Sequence, residues 1–202
     1  WGIEHAQGTY LLFLDADDYY LDHTLERLYG VAQRDDLDYL DFTAHTFYES
    51  ERARELCDES YYESRPEIPG VMTGAELFVQ YQRHVQYHCS PCFHFIKRSL
   101  LIDSGLRFKE RIIHEDELFS PVLIAQAKRA AYLNEALYQR RSHEGSIMTT
   151  RSGLRSAVCM LDAAESLHAW LRANWQNYDN DFTDAMAQRV RELRGLAVNY
   201  AS

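Results

Sequence analysis

The sequence predicts an α/β fold on three observations. A continuous apolar run, Tyr10 to Leu14, leads directly into carboxylates at Asp15, Asp17 and Asp18. An amphipathic stretch carrying Leu25, Leu28, Tyr29 and Ala32 follows, and aromatic and β-branched strand material recurs at 37–48 and 130–140 between further helical stretches. Strands that alternate with helix-period segments imply a sheet with helices packed on it.

Taken in order, Tyr10 to Leu14 is bounded by Gly8 and by the acids, and reads as a parallel central strand buried on both faces. Asp22 is the expected N-cap of the next helix, which closes near Arg34-Asp35-Asp36. Leu37 to Tyr48 alternates in part and reads as a strand, and the charged stretch Glu49 to Pro69 reads as a loop. Thr73 followed by Glu76 is a capping box, so a helix should begin near Gly74. Phe93 to Ile96 is a short strand candidate. A helix is expected from Glu115 to about Ala127, open to a kink at Pro121, and strand material from Ala130 to Arg140. Two amphipathic helices close the chain, one marked by Leu154, Val158, Leu161, Leu167 and Leu171, the other by Phe182, Met186, Val190, Leu193 and Ala197. They read as packing helices without chemistry, which divides the chain into 1–150 and 151–202.

The bulk numbers exclude several classes of function. A chain of 202 residues with 46% hydrophobic and 26% charged residues supports a sizeable core. The net charge of −10 and the scattered basic residues leave no stripe to follow a nucleic-acid backbone. No apolar run approaches the roughly 20 residues of a membrane span. Four unevenly spaced cysteines, at 57, 89, 92 and 159, fit a reducing compartment, so a cytoplasmic location is expected, with peripheral membrane attachment left open.

Two acidic clusters are the candidates for chemistry. Carboxylates at 15, 17 and 18, delivered by a strand end, repel one another unless a hard divalent cation offsets their charge; an acidic turn capping a helix is the plainer reading. His114-Glu115-Asp116-Glu117 stands at a helix start, where the macrodipole already favours acids. A metal-held leaving group and a separate carboxylate base are the two parts that displacement at a sugar carbon requires. His88-Cys89-Ser90-Pro91-Cys92-Phe93-His94 also admits a zinc reading, although no second Cys pair accompanies it. The 14 tyrosines could wall a sugar site or fill a core.

Three motifs in order resemble the family 2 glycosyltransferases of the GT-A fold: "GIEHAQGTYLLFLDADDYYLDHTLERL", "KRSLLIDSGLRFKERIIHEDELF" and "ALYQRRSHEGSIM", together covering roughly residues 2 to 148. The resemblance implies a GT-A-like, Rossmann-like mixed sheet flanked by helices, with C-terminal helices outside it. It implies Mg²⁺ or Mn²⁺ on Asp17 and Asp15 with Asp18 in support, and Asp15 nearer the nucleotide ribose. Asp116 is implied as the general base, with Glu115 beside it. Arg140, Arg141 and His143 are then candidates for diphosphate or acceptor contacts. The implied reaction is an inverting transfer from a nucleotide sugar, a UDP-sugar first, to a hydroxyl of a saccharide or glycolipid, as in polysaccharide synthesis.

The resemblance also marks a departure. The nucleotide-base strand with which such proteins open does not precede Trp1, so the expectation is an N-terminally truncated domain, inactive alone, whose unpaired sheet edge would recruit a partner or a second copy. Two alternatives follow: a non-catalytic transferase scaffold, and a haloacid-dehalogenase-like phosphatase with a nucleophilic Asp. The latter wants a Thr or Val soon after the second Asp and a later Gly-Asp pair, and this sequence has neither.

Overall fold

The computed structural model describes residues 1–56, 62, 66–84, 87–145 and 153–201. The chain divides into two compact units whose segments alternate along the sequence. The first unit comprises Trp1–Val71, Pro91–Ser99 and Arg129–Arg151; the second comprises Met72–Ser90, Leu100–Lys128 and Ser152–Ser202. Residues 146–148 of the third motif, with Cys57 and Tyr61, lie outside the described residues.

The first unit is built on a five-stranded sheet in the order β1-β4-β3-β5-β2. Its strands are β1 (Tyr10–Leu11), β2 (Tyr19–Tyr20), β3 (Tyr39–Tyr48), β4 (His94–Lys97) and β5 (Ala130–Ser142). β3 and β5 run parallel along the whole of β3 and the other pairings are antiparallel, so the sheet is mixed. β3 is the true central strand: Tyr39 to Ala44 is buried without a break, with a strand on either side. One of its faces sends Leu40, Phe42 and Ala44 into a core shared with Phe93, Phe95 and Tyr138. On the other face Asp41 stands in register with His94. His94 Nδ1 lies 3.2 Å from the Asp41 carboxylate and 2.6 Å from the Tyr39 hydroxyl, so the buried acid is answered by polar neighbours.

The described helices of this unit include α1 (Gly2–His5), α2 (Thr24–Arg34) and α3 (Glu51–Leu56). α2 places Leu28, Val31 and Ala32 in the core. Leu25 and Tyr29, expected on that face, are exposed. The N-cap is His23, in the left-handed region at φ 66° and without a side-chain cap bond, instead of Asp22. α3 falls within the stretch expected to be a loop.

The apolar run at Tyr10 corrects the expectation of a parallel central strand. Only Tyr10 and Leu11 enter a ladder, antiparallel to β4 and at the edge of the described sheet, and Leu14 is 55% exposed. A continuous apolar run identifies a strand but carries no information about its neighbours.

The second unit contains α4 (Gly74–Arg83), α6 (Asp116–Gln126), α7 (Leu154–Asn174) and α8 (Asn180–Ala201); α5 (Arg98–Ser104) follows directly on β4. The capping box forms as expected: Thr73 Oγ1 accepts from the Glu76 N–H at 3.2 Å, and Glu76 Oε2 accepts from the Thr73 N–H at 2.8 Å. Gly74 follows the cap because nothing larger fits. Its N–H donates to the Ala127 carbonyl at 2.8 Å, and a Cβ there would lie 1.7 Å from the carbonyl oxygen of Ile124. α6 runs through Pro121 to Gln126.

α7 and α8 pack side by side, joined by the short segment 175–179. All five core positions expected of α8 are buried. On α7 the expectation holds for Leu167 and Leu171 and fails for Leu154, Val158 and Leu161, which are exposed; the buried residues are Ala157, Cys159, Met160, Ala163, Ala164, Leu167 and Leu171. Alanines let two helix axes approach closely, so contact geometry selects a face that hydropathy alone does not. Among the described residues no helix is long and apolar enough to cross a membrane.

Gly74→Ala is expected to destabilise the protein by about 3 kcal/mol or more, since a backbone carbonyl must move to admit the methyl group. Denaturant titration checks this, and a wild-type midpoint would show that the close approach is not required.

Candidate functional site

The candidate residues fall into two groups. Asp15, Asp17, Asp18, Arg140, Arg141 and His143 belong to the first unit, and Glu115 and Asp116 to the second.

In the first unit the chain leaves β1 and turns at Ala16-Asp17, with the Asp18 N–H donating to the Asp15 carbonyl at 3.2 Å, before re-entering the sheet as β2. β2 pairs Tyr19 with Gln139 and Tyr20 with Tyr138. Beyond that ladder, the Asp18 carboxylate takes over where a backbone carbonyl would stand. It accepts the Arg141 N–H at 2.7 Å and the Tyr138 hydroxyl. The Tyr20 hydroxyl, 2.7 Å from the Phe13 carbonyl and 2.9 Å from that of Cys92, fixes the other side of the turn. Burial pushes the Asp18 carboxyl up; the Arg141 and Tyr138 hydrogen bonds oppose the shift, and the neighbouring acids add to it.

Asp15 and Asp17 remain exposed. His143 Nε2 stands 3.5 Å from Asp17 Oδ2, so the structure brings these two candidates together. Arg140 and Arg141 alternate along β5 and serve different faces. Arg140 donates to the Tyr62 hydroxyl at 2.9 Å and lies over its ring, whereas Arg141 is paired through Nε and Nη2 with Glu49. That pairing, led by the Glu49 hydrogen bond, raises the Arg141 pKa.

Among the described residues no group of three His, Cys, Asp or Glu side chains is arranged to hold a metal ion. Asp18 is held by protein donors, and its side chain completes the sheet. The two exposed acids fit a different arrangement, in which Mg²⁺ takes one or two carboxylates and completes its shell with phosphate oxygens and water. The zinc reading fails on similar grounds. Cys92 is core in the first unit, the Cys89 thiol is engaged in the second, and His94 is bonded to Tyr39 and Asp41. The tyrosines divide as core filling predicts, with Tyr39, Tyr81 and Tyr138 buried.

In the second unit His114, at φ 64°, turns the chain into α6, and Glu115 is the N-cap. Asp116 is the first helical residue and is half-buried. The Cys89 thiol donates to its Oδ2 at 3.2 Å. Burial pushes the Asp116 carboxyl up and Glu117 and Glu115 add to it, while the thiol bond and His114 pull it down. Glu117 is buried against Arg189 of α8, whose guanidinium lies 5.0 Å over the Tyr87 ring. Sequence reasoning missed Arg189 and placed Cys89 in a zinc reading instead of beside Asp116. Arg189 stands seven residues after Phe182 and three after Met186, on the buried face of the amphipathic helix, and that spacing is the signal that could have exposed it.

A mixed sheet with helices and an acidic turn at one strand end is an α/β architecture. S. aureus TarS, residues 1–349 in complex with UDP-GlcNAc, superimposes over 98% of this chain and 50% of its own with a TM-score of 0.61 at 20% identity. Residues 1–105 match the family described as glycosyl transferase family 2, and the chain belongs to that family. It is 26% identical over 148 residues to the uncharacterized glycosyltransferase YibD of Escherichia coli (strain K12), covering 72% of this chain and 42% of that protein. It is 29% identical over 154 residues to the uncharacterized glycosyltransferase EpsJ of Bacillus subtilis (strain 168), covering 72% and 41%. The chain thus spans under half the length of these relatives. The phosphatase alternative is set aside by the family match.

Because folding raises the Asp116 pKa, the acid's contribution to stability is complete below the unfolded value near 4 and is lost as pH rises through the folded value. Asp116→Asn is therefore expected to raise the melting temperature at pH 7 by a few degrees, and to flatten the decline in stability between pH 4 and 7. Scanning calorimetry across that range tests this; a lower melting temperature at pH 7 would mean that the ionised carboxylate is a net stabiliser.

Proposed function

We propose that the protein in its full length is an inverting, metal-assisted glycosyltransferase, moving a sugar from a nucleoside-diphosphate sugar to a hydroxyl group of a saccharide or glycolipid. The observation that carries the reading is Asp116: a half-buried carboxyl, raised in pKa by burial and hydrogen-bonded by a neutral thiol, in a chain of a sugar-transferring family. A carboxylate of raised proton affinity is a better base once ionised than an ordinary surface Asp.

In this reading the acceptor oxygen attacks the anomeric carbon from the face opposite the diphosphate. The new C–O bond forms as the bond to the phosphate oxygen breaks, the hydroxyl proton passes to Asp116, and the configuration inverts. Glu115 raises the proton affinity of Asp116 from the adjacent position. Asp15 and Asp17 are the residues that would hold Mg²⁺ or Mn²⁺, which supplies charge neutralisation to the diphosphate. Asp18 holds the turn that presents them, and His143 faces Asp17. Arg140 remains the candidate for a diphosphate contact, and Arg141 acts through its backbone N–H on Asp18 more than through its Glu49-paired guanidinium. A UDP-sugar donor is supported by TarS, which binds UDP-GlcNAc.

In the full-length protein, Asp116→Asn is expected to lower turnover by about 10²-fold or more while UDP binding survives. Asp17→Ala is expected to abolish the gain in UDP affinity that Mn²⁺ provides. Calorimetric titration of UDP with and without Mn²⁺, beside turnover of UDP-GlcNAc, separates the two roles. Wild-type turnover in Asp116→Asn would remove the base assignment, and unchanged Mn²⁺-dependence in Asp17→Ala would remove the metal assignment.

A further inference from the structure

Helix α6 grips residue 89 at two points one turn apart. The Ser120 hydroxyl donates to the Cys89 carbonyl, and the Cys89 thiol donates to Asp116 Oδ2 at 3.2 Å. Positions 116 and 120 share one face of the helix, so a single segment spans both. Ser120 is fully buried, and its bond to the Cys89 carbonyl fixes the backbone from which the thiol projects.

We infer that Cys89 is a positioning residue for Asp116: its thiol occupies Oδ2 and leaves Oδ1 as the oxygen that meets an incoming hydroxyl. The inference rests on the reading of Asp116 as the base. A thiol suits the task because it is a weak donor. An ammonium or guanidinium in the same place would hold the carboxylate ionised and cost it its affinity for a proton. Burial pushes the Cys89 thiol up, so it remains S–H, and thus a donor, at neutral pH.

Among the described residues, the charged and titratable groups that act on Asp116 and Cys89 come from three segments. The segment of Asp116 itself supplies His114, Glu115 and Glu117; the segment before α5 supplies Cys89 and Tyr87; α8 supplies Arg189. Arg189 is directed to Glu117, with a second contact to Glu192 at 3.2 Å. The Cys89 hydrogen bond is the direct polar contact that the structure gives to the Asp116 carboxylate.

The test is a carboxyl ¹³C NMR titration of the full-length protein labelled at aspartate, with the Asp116 signal assigned by its loss in Asp116→Asn. In Cys89→Ala the Asp116 midpoint is expected to rise by roughly 0.5 to 1 unit, and Cys89→Ser, which restores a donor, should return it to or below the wild-type value. A purely structural role would change melting temperature without moving the midpoint. An Asp116 midpoint identical in wild type, Cys89→Ala and Cys89→Ser overturns the proposal. Failure of the base reading is separately visible: Asp116→Asn would then retain turnover of UDP-GlcNAc, whatever the midpoints do.

Discussion

The parallel pairing of β3 with β5 is the constraint on which the first unit depends. β3 is buried on both faces, so its register is strongly specified, and β5 inherits that register from residue 130 to 142. The pairing is irregular between Phe42 and Ala44, where Leu133, Ala136 and Tyr138 become successive partners. This break re-aims the second half of β5, so that Tyr138 joins the core containing Phe42 and Ala44, while Arg140, two residues on, reaches Tyr62. The same half of β5 presents the Tyr138 hydroxyl and the Arg141 N–H to Asp18. The acidic turn is therefore fixed by a strand more than a hundred residues away, and its geometry would not survive a slip in β5.

Asp18, Glu117 and Asp116, each withdrawn at least in part from water, are satisfied by three different chemistries, and the differences have meaning. Asp18 receives neutral donors, a backbone N–H and a phenol, which hold it in place at modest electrostatic gain. Glu117 receives a guanidinium, the strongest partner on offer. Asp116 stands beside Glu117, yet the donor it receives is a thiol. Two adjacent carboxylates thus divide the work, one neutralised and structural, the other left with a raised pKa. A single Arg shared between them would have erased that distinction.

Much of the fold was legible because it is local. The capping box at Thr73, the strands at 39–48 and 130–142 and the buried stripe of α8 each follow from residues within one or two turns of one another. What escaped was non-local. Tyr10 to Leu14 reads the same at the centre of a sheet as at its edge, because apolar content carries no partner information. The acidic triad looked convergent because three carboxylates stand within four positions. Asp18 is drawn off by Tyr138 and Arg141, and no local pattern announces that pairing. On α7 the alanines at 157, 163 and 164 set the packing face, and a search for large apolar residues finds Leu154, Val158 and Leu161 on the exposed side.

The C-terminal helices are the clearest case of chemistry hidden by pattern. Phe182, Met186, Val190 and Leu193 describe a packing helix, and α8 does pack in that way. Arg189 precedes Val190 in the same sequence, with a side chain only 13% exposed. A buried guanidinium without a carboxylate would be untenable, so the helix requires an acid in the segment it packs on. That acid is Glu117, one residue from Asp116, and α8 and α6 lie in the same compact unit. Through this ion pair a helix that reads as scaffold governs the charge next to the candidate base. It follows that the electrostatics of Asp116 depend on residues beyond the 1–105 family match.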